Sequence, residues 1–117
     1  GLMSIDGYAD LLDDFNSLEQ STELTQRLLK WSGDAKCHIT GILHKNFGSN
    51  KPVGHIGSSV LKKAETVVFV GPRELDKGNG IIGYDHTITD VRCEYSRNIP
   101  FDDFSFSVNR DGLPYKC

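Results

Sequence analysis

Three groups of residues in this chain could do chemistry. Asp6 closes the apolar run Leu2-Met3-Ser4-Ile5 and is followed by Gly7. A carboxylate at a strand end can hold Mg²⁺ through its water shell, because hard cations take oxygen ligands. His44, Lys45 and Asn46 close the next apolar run, Cys37 to Leu43, where a polar side chain could sense a phosphate. The third group is a stretch, residues 35–64, that contains no acid but carries Lys36, Lys45, Lys51, Lys62, Lys63 and three histidines. It reads either as a solvated lysine face or as a surface facing phosphate or nucleic acid. A strand-end Asp is more often a turn or cap residue, and a loop histidine such as His55 is more often simply exposed. The pattern gains weight only as a set.

That set needs elements to position it. Leu2–Ile5 reads as a short strand. Asn16 or Ser17 can cap a helix, with Gln20 as the far side of a capping box, and Leu24, Leu28, Trp31 and Ala35 fall at helical spacing on one apolar face. Gly33-Asp34 ends it, and Cys37 to Leu43 reads as a buried parallel strand. Residues 44–57 hold Gly48, Pro52, Gly54 and Gly57 and read as a long loop. Ser58-Ser59 can cap a short helix through Ala64, before a second buried strand, Thr66 to Val70. The order predicts an open parallel α/β sheet, whose ligands sit at the carboxyl ends of the strands. Beyond turns at Gly71-Pro72 and Lys77–Gly80, residues 87–95 and 104–108 alternate as antiparallel strands, with a turn at Arg110–Gly112.

With 117 residues the chain fits one small domain, expected over residues 1–117. The net charge of −3 is uneven, since residues 1–34 hold seven acids against Arg27 and Lys30. No apolar run reaches the length of a membrane span, and no signal segment opens the chain. An odd cysteine count (Cys37, Cys93, Cys117) without framework spacing points to a reduced, cytoplasmic protein. Cys37 and His38 are adjacent in a strand and point to opposite faces, which argues against a shared metal. Gly1 reads as a cloning remnant before a strand already under way.

Taken in order, these segments resemble the RecA-like P-loop ATPases, and most closely the replicative-helicase-like ATPases of plasmids and mobilizable elements. Ile5-Asp-Gly-Tyr-Ala-Asp-Leu-Leu12 resembles the Walker B strand and its turn, and Ile39-Thr-Gly-Ile-Leu-His-Lys-Asn46 the strand ending in the phosphate-sensing residue. Gly54 to Val70 resembles the glycine, short helix and strand that follow the DNA-facing loop. Arg92 to Asn98 with Phe101 to Asp111 is similar to the final hairpin, which carries a basic finger to the next subunit. The resemblance implies a partial RecA-like parallel sheet with flanking helices and a C-terminal antiparallel hairpin. It implies catalytic roles for Asp6 (Mg²⁺ through water), His44 (switch) and Arg97 (finger). Lys45, Asn46, Lys51 and His55 would face single-stranded DNA, in a homo-oligomer that uses ATP and Mg²⁺.

The sequence departs from the family at several points. Ser4 stands where a fourth apolar residue is usual, no glutamate follows Asp6, and Tyr95 replaces a second basic finger. No G-x-x-x-x-G-K-[ST] occurs, so nothing in this chain can wrap the phosphates and no nucleotide is expected to bind it. The expectation is the C-terminal half of a nucleic-acid-dependent ATPase; a P-loop upstream of Leu2 would support it, and a native start at Met3 would favour a stand-alone module. The alternatives are a non-catalytic nucleic-acid-binding module on the same scaffold and an unrelated α/β scaffolding domain.

Overall fold

The structure, a computed structural model, describes residues 1–45 and 54–117. Asn46, Lys51 and most of the expected nucleic-acid loop lie outside the described residues. The chain separates into two compact units, Gly1–Ala64 and Glu65–Cys117. Among the described residues no helix is long and apolar enough to cross a membrane.

The first unit is a small α/β layer. Strand β1 (Leu2–Ile5) pairs in parallel with β2 (His38–Gly41), in a register that sets Leu2 opposite His38 and Ile5 opposite Gly41. A 3-10 turn (Tyr8–Leu11), helix α1 (Leu18–Asp34) and helix α2 (Gly54–Leu61) complete it. Ser17 caps α1 by accepting the Gln20 N–H at 3.3 Å. Gln20 does not close the box onto Ser17; its Oε1 accepts the Asp14 N–H at 3.1 Å and ties down the acidic loop instead. Tyr8, Leu24, Leu28 and Ile56 form the buried core, with Ile5, Ala9, Leu12, Ile39, Leu43 and Val60 packed around it.

Two sequence expectations change here. Trp31 is 41% exposed and Ala35 caps the helix in the open, so neither is core. The buried stripe is Ser21, Leu24, Thr25 and Leu28. A four-residue strand covers about 13 Å, roughly half the length of a 17-residue helix, so the last turn has no layer to meet. β2 is likewise half-exposed, not buried: Ile39 turns inward while His38 and Thr40 face out. The Ser4 and Thr40 hydroxyls join across the outer face at 2.9 Å.

The second unit is a four-stranded sheet in the order β3-β4-β5-β6, antiparallel throughout. β3 spans Thr66–Asp76, β4 Ile82–Ser96, β5 Phe104–Val108 and β6 Pro114–Lys116. Thr66–Val70 is therefore not a buried parallel strand. It pairs antiparallel with β4, and Val68 and Val70 are 45% and 59% exposed. Gly71-Pro72 does not turn the chain either; β3 runs through it. Proline lacks an N–H, and it fits here because β3 is an edge strand with a register shift at Pro72/Arg73. The expected turn at Lys77–Gly80 is present, with Gly78, Asn79 and Gly80 all at positive φ, a run that two glycines allow without strain. The C-terminal hairpin is also present, closed by the Asn109 side chain, whose oxygen accepts the Asp111 and Leu113 N–H groups at 2.9 Å each.

Candidate functional site

The parallel register of β1 and β2 brings their carboxyl ends to one edge. The ladder continues past both strands, because Ile42 N–H donates to the Ile5 carbonyl (3.1 Å) and Tyr8 N–H to the Ile42 carbonyl (3.2 Å). Asp6 is held between these two bonds, and His44 lies two residues beyond Ile42. The Asp6–Gly7 peptide is cis.

Two glycines make this edge possible. A Cβ on Gly7 would stand 2.9 Å from the Ile42 carbonyl oxygen, and one on Gly41 would fall inside the Tyr8 ring. The Tyr8 ring thus packs against the β2 backbone at Gly41, and burial pushes its phenol above the usual value. Neither the Gly41–Tyr8 packing nor its effect on the strand end was read from the sequence. The only available signal was a glycine inside a strand, which marks close approach.

Asp6 and His44 are both exposed, and neither side chain hydrogen-bonds to a described residue. An open, unpartnered carboxylate suits a hydrated Mg²⁺ ion held through water. Lys45 follows His44 at the same edge. His55 belongs to this unit but sits at the start of α2. Its N–H and that of Ile56 both donate to the Phe15 carbonyl, at 3.1 and 3.4 Å. A phosphate would find those two N–H groups occupied, so His55 could contribute only its exposed side chain. No group of three or more His, Cys, Asp and Glu stands together among the described residues.

Arg97 belongs to the second unit, directly after β4. Its N–H donates to the Glu65 carbonyl at 3.0 Å, and the neighbouring Asn98 amide donates to the Glu65 carboxylate at 2.7 Å. The end of the strand is therefore pinned twice to one residue.

The polar centre of the second unit is a network that the sequence did not single out. Arg73 Nη2 donates to Asp90 Oδ1 (2.9 Å) and to Ser105 Oγ (2.8 Å), and Ser105 Oγ donates to the same Asp90 oxygen (2.7 Å). Three strands are joined by one carboxylate. The hydrogen bond from Arg73, and then that from Ser105, hold the Asp90 carboxyl below the ordinary carboxylate range. Thr87 does the same for Asp85. A depressed carboxyl contributes stability that is complete above its unfolded value, about 4, and is lost as pH falls through the folded value. The second unit should therefore weaken as pH falls below the unfolded value of about 4. Asp90→Asn should remove Asp90's share of that slope and leave Asp85's. Urea melts followed at the Val91 amide by NMR would test this; equal slopes for parent and variant would rule out the linkage.

Comparison of the chain with protein-family models, with curated proteins and with solved structures finds no match.

Proposed function

We propose that this chain is the carboxyl-terminal part of a RecA-like, nucleic-acid-dependent ATPase core, helicase-like and acting in plasmid or mobile-element DNA replication or transfer. One observation carries the reading: β1 and β2 are adjacent and parallel, so the two carboxyl ends after which Asp6 and His44 follow lie at the same end of the sheet. Two further features support it. β2 pairs only with β1 among the described residues, which leaves an edge where a strand bearing a phosphate-binding loop would fit. The second unit also pairs β4 antiparallel with β5, with Arg97 in the connection directly after β4.

In this reading Mg²⁺–ATP brings the reactive phosphoryl group and the cation that neutralises it. Asp6 would hold the metal through its water shell. His44, two residues past Ile42, would face the terminal phosphate and act as the switch toward the segment after Lys45. Arg97, braced by Glu65 and Asn98, offers a guanidinium to nucleotide held by a neighbouring subunit. Lys45, Lys51 and His55 face single-stranded DNA, where lysine contacts give affinity that falls with salt. The residues present fit the metal-facing half of such a site. They do not fit the phosphate cradle, which needs free backbone N–H groups at a helix start, whereas α2 has given two of its own to Phe15.

The test uses Mn²⁺ as a paramagnetic probe. Line broadening should centre on the amides of Asp6, Gly7 and Ile42 to His44, and should be lost in Asp6→Asn. Broadening centred on the acidic loop at Asp10, Asp13 and Asp14, and unchanged in that variant, would remove the metal role from Asp6.

A further inference from the structure

The polar face of β3, β4 and β5 carries two successive rows of side chains, and only one is complete. In the first, Gly71, Asp90 and Ser105 lie opposite one another, and Arg73 reaches in to close the network described above. In the next, Phe69 lies opposite Arg92, with Asp103 one step beyond the last β4–β5 pair. The Arg92 guanidinium sits 4.3 Å over the Phe69 ring, a cation–π contact that fixes its plane. It makes no hydrogen bond to a described residue, and its Nε is buried without a partner. Asp103 commits one oxygen to the Cys93 N–H at 3.2 Å and leaves the other unused. No ion pair joins Arg92 to Asp103. A cavity of about 220 Å³ opens there instead, lined by Asp90, Val91, Arg92, Asp103, Phe104 and Ser105.

A buried guanidinium donor with no acceptor is costly, and native proteins rarely keep one without a use. The geometry points to a binding site for a nucleobase, with guanine the best match. Arg73, outside the lining, neutralises Asp90, and Arg92 and Asp103 cancel within it, so a charged ligand gains no net attraction, and a zwitterion would lose the hydration of both its charges. The matching ligand is neutral and planar, with acceptors for Arg92 and donors for Asp103. The volume is below that of pockets for drug-sized ligands and admits a single ring system. Guanine offers O6 and N7 side by side to an arginine fork, and N1–H and N2–H side by side to a carboxylate. Adenine offers only one of each in reach, and uracil has no paired donors. This inference rests on the second unit's sheet alone, and it stands or falls apart from the ATPase reading.

The experiment is an NMR titration of the full chain with guanosine 5′-monophosphate, with uridine and adenosine monophosphates as controls that carry the same phosphate. The expected result is a saturable shift of the Arg92, Asp103 and Ser105 amides that is strongest for the guanine nucleotide. Asp103→Asn keeps an oxygen for the Cys93 N–H, and so keeps the fold, but should weaken guanine binding by about fivefold or more. Arg92→Lys keeps a cation over Phe69 and should lose at least as much. No saturable shift, equal shifts with all three nucleotides, or unchanged affinity in both variants would overturn the proposal and leave the cavity to water.

Discussion

Ile56→Ala is expected to lower the stability of the first unit by about 2–5 kcal/mol, the range for truncating a buried branched side chain to a methyl group. Ile56 has no accessible surface and sits in the core with Tyr8, Leu24 and Leu28. Whole domains are stable by roughly 5–15 kcal/mol, and units of this size lie toward the lower end. The substitution should therefore leave a large unfolded population at ordinary temperature. Trp31 is the only tryptophan and lies in α1, so its fluorescence during a urea titration reports on this unit. Ile56→Val should cost only about 0.5–1.5 kcal/mol. If the alanine variant melted at the parent's midpoint, Ile56 could not be the centre of the core.

The second large effect is expected at Gly41. An alanine there would place a methyl group within the Tyr8 ring. The ring must leave its seat, which combines overpacking of about 1–3 kcal/mol with loss of buried aromatic area worth about 1.5–3 kcal/mol. The damage reaches the candidate site, because Tyr8 N–H is the bond that ties the turn after Asp6 to Ile42. A double-mutant cycle isolates the cause. In a Tyr8→Ala background the methyl group has room, so Gly41→Ala should cost much less than it does in the parent. Additive losses in the cycle would show that the glycine is needed for something other than the tyrosine.

Much of the fold was legible where local chemistry decides it. The cap at Ser17, the glycine-rich turn at Lys77–Gly80 and the alternation around Val91 each follow from a residue's own preferences, and each was found. What failed depended on partners distant in sequence. Thr66-Val-Val-Phe-Val70 is apolar at nearly every position, which suits a strand buried on both faces as well as an edge strand with one bare face. Only its pairing with β4 separates the two. Helix α2 starts at Gly54, ahead of the expected Ser58 cap, because its first N–H groups are satisfied by Phe15, a residue nearly forty positions earlier. Gly54 itself holds a positive φ against that same carbonyl. The parallel β1–β2 pair was legible because both of its short apolar runs are. The Arg73–Asp90–Ser105 network was not, since no spacing rule links residues from three strands.

Strand β4 has one more consequence. It is fifteen residues long, pairs with β3 along most of its length and with β5 at only three positions. Its two ends pair with the two ends of the eleven-residue β3, so at about 3.3 Å per residue they lie up to about 33 Å apart. The glycine turn that leads into it and the Arg97 that follows it therefore mark opposite poles of the unit. The register shifts against β3 take up the four extra residues of β4, so its length is spent in bulges and not in reach.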